Sequence, residues 1–213
     1  MLITFSGLDG SGKSTLIAWL KAELERGNQA VTVMHMANEM GVYAGLRAVR
    51  DALLRRARRV APPEQPCSGE RSWVRTFRDA IVWSKPLRRA IYPIDLMIFL
   101  AISFFVEKVR RRILVTDRYF YDTLVDVADD SRWFWVRVLE RLTPVPDIPV
   151  FLDVSPEESF ARKGEYSVSY LARRRAGYQR VAPMVPSALV LANADLAVTR
   201  RVLRRAIWER LGS

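Results

Sequence analysis

A single cysteine, Cys67, stands in the 213 residues, so no disulfide can close within the chain. A fold of this length must be held by its core, and a lone thiol fits a reducing cytosol, where the chain is expected to reside. The one histidine, His35, has no cluster of ligating residues around it in the sequence and is expected to be packed or hydrogen-bonded, not to hold zinc. Lysine is scarce too: five lysines stand beside 29 arginines, and with 23 acidic residues the formal charge is +11. That surplus suits anionic ligands. No helix-turn-helix, zinc-finger or RNP-type pattern accompanies it, and the arginines are spread over many predicted helices, which argues against nucleic acid as the partner. The longest apolar run, Ile91 to Val106, is 16 residues with Pro93, Asp95 and Ser103 inside it. It is short for a bilayer and reads as a fully buried core helix, so no membrane partner is expected. The first residues lead straight into a strand pattern, leaving no expected leader, and no repeat or low-complexity linker interrupts the chain.

Against these absences stands one dense motif, Gly7-Leu8-Asp9-Gly10-Ser11-Gly12-Lys13-Ser14-Thr15. It fits the pattern G-x-x-x-x-G-K-[ST]. Leu2 to Phe5 before it read as a buried strand, and Leu16, Ile17, Leu20 and Leu24 after it recur at helical spacing. Such a loop turns tightly so that its N–H groups converge on phosphate oxygens, and glycine provides the φ angles and the room. The following helix adds its positive N-terminal end. Lys13 is placed to reach the β- and γ-phosphates of a nucleoside triphosphate, and the Ser14 hydroxyl to ligate Mg²⁺.

Further strands are predicted at Ala30 to Met36, Ile113 to Thr116, Val150 to Val154 and Leu189 to Asn193, with helices between them. Alternation of this kind predicts a single α/β domain over 1–213, with a parallel five-stranded sheet of the P-loop NTPase type covered by helices on both faces. The Pro-rich stretch from Ala61 to Gly69 marks a variable insertion over 60–90. A Trp-rich amphipathic segment, Ser131 to Leu142, reads as core or dimer contact. Asp117 ends a strand, where open α/β folds place their chemistry, and could hold Mg²⁺ or orient an acceptor; its structural alternative is a helix N-cap. Arg47 and Arg50 share a helix face and form a candidate site for an acceptor anion. The run Arg162-Lys163-Gly164-Glu165-Tyr166 is expected to break its helix and serve as a short lid over 161–168, with an ordinary charged turn as the alternative.

These motifs together resemble the thymidylate kinase family of nucleoside monophosphate kinases. The resemblance rests on the loop from Gly7 to Thr15 with its acidic Asp9, on Asp117-Arg118-Tyr119, and on Phe151-Leu152-Asp153-Val154 with Pro156 and Glu157. It extends to Arg162 to Glu165, to Tyr170 through Tyr178, and to Asn193-Ala194-Asp195. It implies a cytoplasmic, Mg²⁺-dependent transfer of the ATP γ-phosphoryl group to a small acceptor, first of all a nucleoside monophosphate, and it leaves a homodimer open. It also implies roles. Asp9 would position the acceptor sugar, Lys13 would hold the transferring group, and Ser14, with Asp117, would serve the metal. Arg118 would clamp both phosphates with Tyr119 beside it, and Arg162 would stabilise charge from the lid.

The chain departs from the family where the acceptor phosphate is held. Ala37-Asn38-Glu39-Met40-Gly41 lacks the arginine of the family's Arg-Glu-Pro-Gly-Gly-Thr-like stretch, and Leu100-Ala101-Ile102-Ser103 replaces its Ala-Asp-Arg. Arg47, or an arginine from the 70–89 segment, is the candidate replacement. The departures keep open a kinase of another acceptor, such as a nucleoside or non-nucleotide alcohol, and a nucleotide-binding regulatory protein with little turnover.

Overall fold

Five short apolar runs form the sheet, and their order in space is set by how the chain crosses over. β1 (Leu2–Gly7) is central, β3 (Ile113–Asp117) and β4 (Ile148–Asp153) flank it, and β2 (Val31–His35) and β5 (Leu189–Ala192) are the edges. All pairs are parallel. A computed structural model describes residues 1–36, 85–128, 138, 141–164, 166–192 and 195–212. The chain divides into two compact units, one of Met1–Met36 with Ser103–Ser213 and one of Ala37–Ile102.

The first unit contains the whole sheet. Ile3, Phe5, Val115, Val150 and Leu152 alternate onto one face, as period-2 geometry requires, and there they join Leu16, Ile17, Leu20 and Leu24 of α1 (Lys13–Arg26). Leu203 and Ile207 of α6 (Leu196–Leu211) complete this core. The opposite face is covered by α3 (Phe120–Ala128), which packs on α5 (Val168–Val181). Phe151 on that face meets the Tyr121 ring at 5.6 Å. The expected architecture of a five-stranded parallel sheet with helices on both sides is the observed one, with strand ends shifted by a residue or two.

Helix starts follow local chemistry. Ser155 caps α4 (Pro156–Lys163) by accepting from the Glu158 N–H at 3.2 Å, with Pro156 at the first position and Glu157 and Glu158 in the first turn. Ser167 caps α5, and Asp195 caps α6 by accepting from the Ala197 N–H at 2.7 Å. Residues 164–166 therefore lie between the end of α4 and the Ser167 cap of α5. The expected helix break begins at Gly164, whose left-handed φ of 64° ends α4, while Arg162 and Lys163 remain inside the helix. Left-handed geometry without a Cβ makes glycine the natural stop, and the basic residues before it suit the negative end of the helix.

The expectation of a fully buried helix from Ile91 to Val106 is corrected. Helix α2 (Lys85–Phe104) continues into a π-helical turn, Phe105–Val109. Leu96, Phe99, Ser103 and Val106, spaced three and four apart, are buried, whereas Ile94, Met97, Phe104 and Phe105 are exposed. The run is apolar all round, but only one stripe of it is covered. No helix among the described residues is long and apolar enough to cross a membrane. Arg47, most of the 60–90 insertion, nearly all of the Trp-rich segment, Glu165 and Asn193-Ala194 lie outside the described residues.

Candidate active site

Because β1 is central and its neighbours on either side are reached by different crossovers, the loop after it opens at the point where strand order reverses, the usual ligand crevice of such sheets. The register brings the C-terminal ends together: Phe5 and His35 both lie opposite Asp117, and Gly7 lies opposite Leu152. The loop shape depends on glycine at two places. A Cβ at Gly7 (φ 147°) would lie 2.6 Å from the Leu152 carbonyl oxygen, and one at Gly10 (φ 86°) would lie 2.8 Å from the Ser159 carbonyl oxygen. Inside the loop the Ser11 N–H donates to the Leu8 carbonyl at 3.1 Å.

Lys13 opens α1 and is buried. Its ammonium folds back to donate to the carbonyls of Gly7 at 2.9 Å and Leu8 at 2.7 Å. Burial lowers its pKa, and the nearby Arg118 charge adds to this, while Asp122, Asp9 and Asp117 act to keep the proton. All four groups thus act electrostatically on the amine that the motif singled out.

Arg118 follows β3 in the left-handed region, at φ 67°, a conformation costly for a non-glycine residue and one that persists only where the surroundings enforce it. Its N–H donates to the Phe5 carbonyl at 2.8 Å, and its guanidinium donates to the Asp9 carboxylate. A second carboxylate, Asp122, stands 3.8 Å from it. Burial works against the Arg118 charge, but Asp122 and Asp9 more than compensate and raise its pKa. Burial likewise resists ionisation of Asp9, yet Arg118, Lys13 and Lys163 together hold its pKa below the ordinary value.

Asp122 is the residue that sequence reasoning missed. It is buried, and it accepts from Ser6 Oγ at 2.9 Å, from the Tyr119 N–H at 3.1 Å and from the Tyr178 hydroxyl at 2.5 Å. The Tyr119 contact is half of a capping box, so Asp122, not Asp117, serves the start of α3. Burial raises the Tyr178 pKa well above the usual range, and the Asp122 charge adds to that. The available signal was a carboxylate four residues after Arg118, one helical turn on in the segment Phe120 to Val127. A second missed pair is Asp153 with Arg175. The guanidinium is bidentate, with Nε to Oδ1 at 2.6 Å and a second bond to Oδ2 at 2.8 Å, and it holds the Asp153 pKa low.

Asp117 lies at the tip of β3 with its Oδ2 3.2 Å from His35 Nδ1, so the histidine is hydrogen-bonded, as expected. Its Oδ1 is buried without a hydrogen-bond partner among the described residues. Ser14 is exposed in the first turn of α1, as is Thr15. Tyr119 is buried, and its hydroxyl donates to the Pro144 carbonyl at 2.7 Å. Arg162 reaches the loop, with Nη1 3.4 Å from the Gly10 carbonyl oxygen. Asp9, Lys13, Asp117, Arg118 and Arg162 are therefore gathered around one loop.

A parallel sheet with this loop on its central strand defines an α/β protein of the P-loop NTPase type. No family model matches the chain. It is similar over its whole length to the thymidylate kinase of Prosthecochloris aestuarii, with 27% identity across 240 aligned residues that cover 95% of that protein. It is also 25% identical, over 76% of its length and 68% of the other's, to the probable thymidylate kinase of Sulfolobus acidocaldarius.

Proposed function

We propose that the protein is an ATP-dependent phosphotransferase that moves the γ-phosphoryl group to a small acceptor, with a nucleoside monophosphate such as dTMP as the first candidate. The observation that carries this is the Gly7–Ser14 loop at the strand-order reversal, with Lys13 folded onto it and a guanidinium fixed between two carboxylates beside it. The named relatives support nucleotide-kinase chemistry, and the reducing compartment that suits a lone cysteine is the cytosol.

In this reading the loop N–H groups and the N-terminus of α1 take the triphosphate. Lys13 exchanges its two carbonyl partners for β- and γ-oxygens. Arg118 supplies fixed positive charge where the γ-phosphoryl group passes between donor and acceptor, and Arg162 approaches from α4. The residues fit Mg²⁺: Asp117 Oδ1 is buried and unpartnered among the described residues, and Ser14 offers a hydroxyl. Held there by Ser14 and Asp117, Mg²⁺ would supply positive charge to neutralise the phosphates. The bond from the acceptor oxygen to Pγ forms as the bond from Pγ to the bridging oxygen breaks, and ADP leaves with that electron pair. A monophosphate acceptor needs no base. An alcohol acceptor must lose a proton, and Asp9 is the carboxylate at the loop to receive it.

The absence of the two acceptor arginines favours a second reading, a kinase of an alcohol or nucleoside. ADP release from Mg²⁺-ATP across nucleoside monophosphates, nucleosides and sugar-like alcohols separates the two. Stimulation by dTMP supports the first reading, and stimulation by uncharged acceptors alone supports the second.

A further inference from the structure

Two successive carbonyls of the phosphate loop are held from outside by one helix. Ser159 and Arg162 are three residues apart on α4 and so share a face. The Ser159 hydroxyl donates to the Asp9 carbonyl, and the Arg162 guanidinium donates to the Gly10 carbonyl at 3.4 Å. Ser159 is buried to 1% exposure, which is unusual for a serine on a short, charged helix. The helix backbone is equally close, since the Ser159 carbonyl oxygen occupies the place where a side chain at residue 10 would start.

Every peptide bond in the described chain is trans, so a carbonyl and the N–H that follows it point in opposite directions. A carbonyl of Asp9 fixed toward α4 turns the Gly10 N–H away from α4. A carbonyl of Gly10 fixed by Arg162 does the same for the Ser11 N–H, which already points to the Leu8 carbonyl within the loop. The Gly10 N–H is thereby left facing away from α4 for a phosphate, while the Ser11 N–H braces the loop from within.

We infer that Ser159 is a positioning residue for the phosphate loop: its hydroxyl fixes the Asp9–Gly10 peptide so that the donor phosphates meet a ready-aimed Gly10 N–H. It touches neither substrate nor reacting atoms. The inference rests on the reading of this loop as the ATP site. It differs from the motif-borne roles of Lys13 and Ser14 because the residue lies 150 positions away in sequence and no pattern marks it.

The test compares wild type, Ser159→Ala and Ser159→Thr by calorimetric titration with Mg²⁺-ADP and by amide hydrogen exchange over the loop in nucleotide-free protein. Loss of one such bond is expected to weaken nucleotide binding in Ser159→Ala by about tenfold and to speed exchange at Gly10 and Ser11. Ser159→Thr, which keeps the hydroxyl, is expected to restore both toward wild type. The KM for the acceptor should stay within about twofold, because no acceptor group meets this peptide. Unchanged binding and exchange in Ser159→Ala overturn the inference. A fall in thermal stability with unchanged nucleotide affinity also overturns it, by showing a structural role only. A wild-type protein that binds no ADP overturns the ATP reading, and unchanged loop exchange in Ser159→Ala then removes the positioning role separately.

Discussion

At the scale of single residues, the site is organised by Asp122 more than by any member of the loop motif. A buried carboxylate is tolerated only when its oxygens are satisfied, and here Ser6, Tyr119 and Tyr178 donate to it while Arg118 supplies opposite charge. In return it limits where the Arg118 guanidinium can go. Asp122→Asn would turn an amide toward either Arg118 or the Ser6 and Tyr119 donors. It is expected to lose about 1–3 kcal/mol of stability, read from urea unfolding, and to lower kcat with Lys13 intact. Tyr178→Phe in the Asp122→Asn background should cost less than it does in wild type, because the two groups share one bond; full additivity would contradict the network. Residues with a motif around them, such as Lys13 and Asp117, were legible because spacing alone implies their surroundings. Asp122 and Ser159 were not, since their partners come from elements far away in sequence.

At the scale of elements, the strands were readable from short apolar runs, and the first helix from the spacing of Leu16, Ile17, Leu20 and Leu24. The sequence does not disclose how closely two helices approach. Gly177 on α5 faces α3, and a Cβ there would come within 2.7 Å of Val125 Cγ1. Alanine usually improves a helix interior by about 1 kcal/mol. Gly177→Ala is nonetheless expected to destabilise by about 1–3 kcal/mol, because Val125 is buried and β-branched and has little freedom to move aside. Adding Val125→Ala should recover part of the loss, and a Gly177→Ala protein as stable as wild type would show that the helices can separate. The packing matters for the site because α3 carries Asp122 and α5 carries Tyr178 and Arg175. The short link of residues 164–166 shows the same limit on reading. A basic run before a glycine suggests a lid, but the left-handed Gly164 ends α4 only after Arg162 and Lys163.

For the whole molecule, charge sets the response to acid. Asp9 and Asp153 have pKa values below the ordinary aspartate value, through Arg118 in one case and Arg175 in the other. Their contribution to stability is therefore complete above the unfolded-state value of about 3.9 and is lost as pH falls through the lower folded-state values. Urea midpoints should drop progressively below about pH 4, and Asp153→Asn should flatten that slope. An unchanged slope would mean that the bidentate pair is not maintained in solution. The arginine surplus has structural uses as well: Arg200 and Arg204 stack over Trp19 at 5.4 and 5.8 Å, and Arg204 pairs with Glu23 at 2.9 Å. Such contacts place part of the +11 charge on helix faces. The central claim is phosphoryl transfer at the Gly7–Ser14 loop, and the most direct measurement is acceptor-dependent ADP release from Mg²⁺-ATP by wild type and Lys13→Ala across the acceptor panel. Phosphoryl transfer predicts that one acceptor class stimulates the wild type and that Lys13→Ala lowers the rate by at least about a hundredfold, with urea stability retained. Tight ATP binding with no acceptor accelerating turnover, or equal rates in the two proteins, would contradict it.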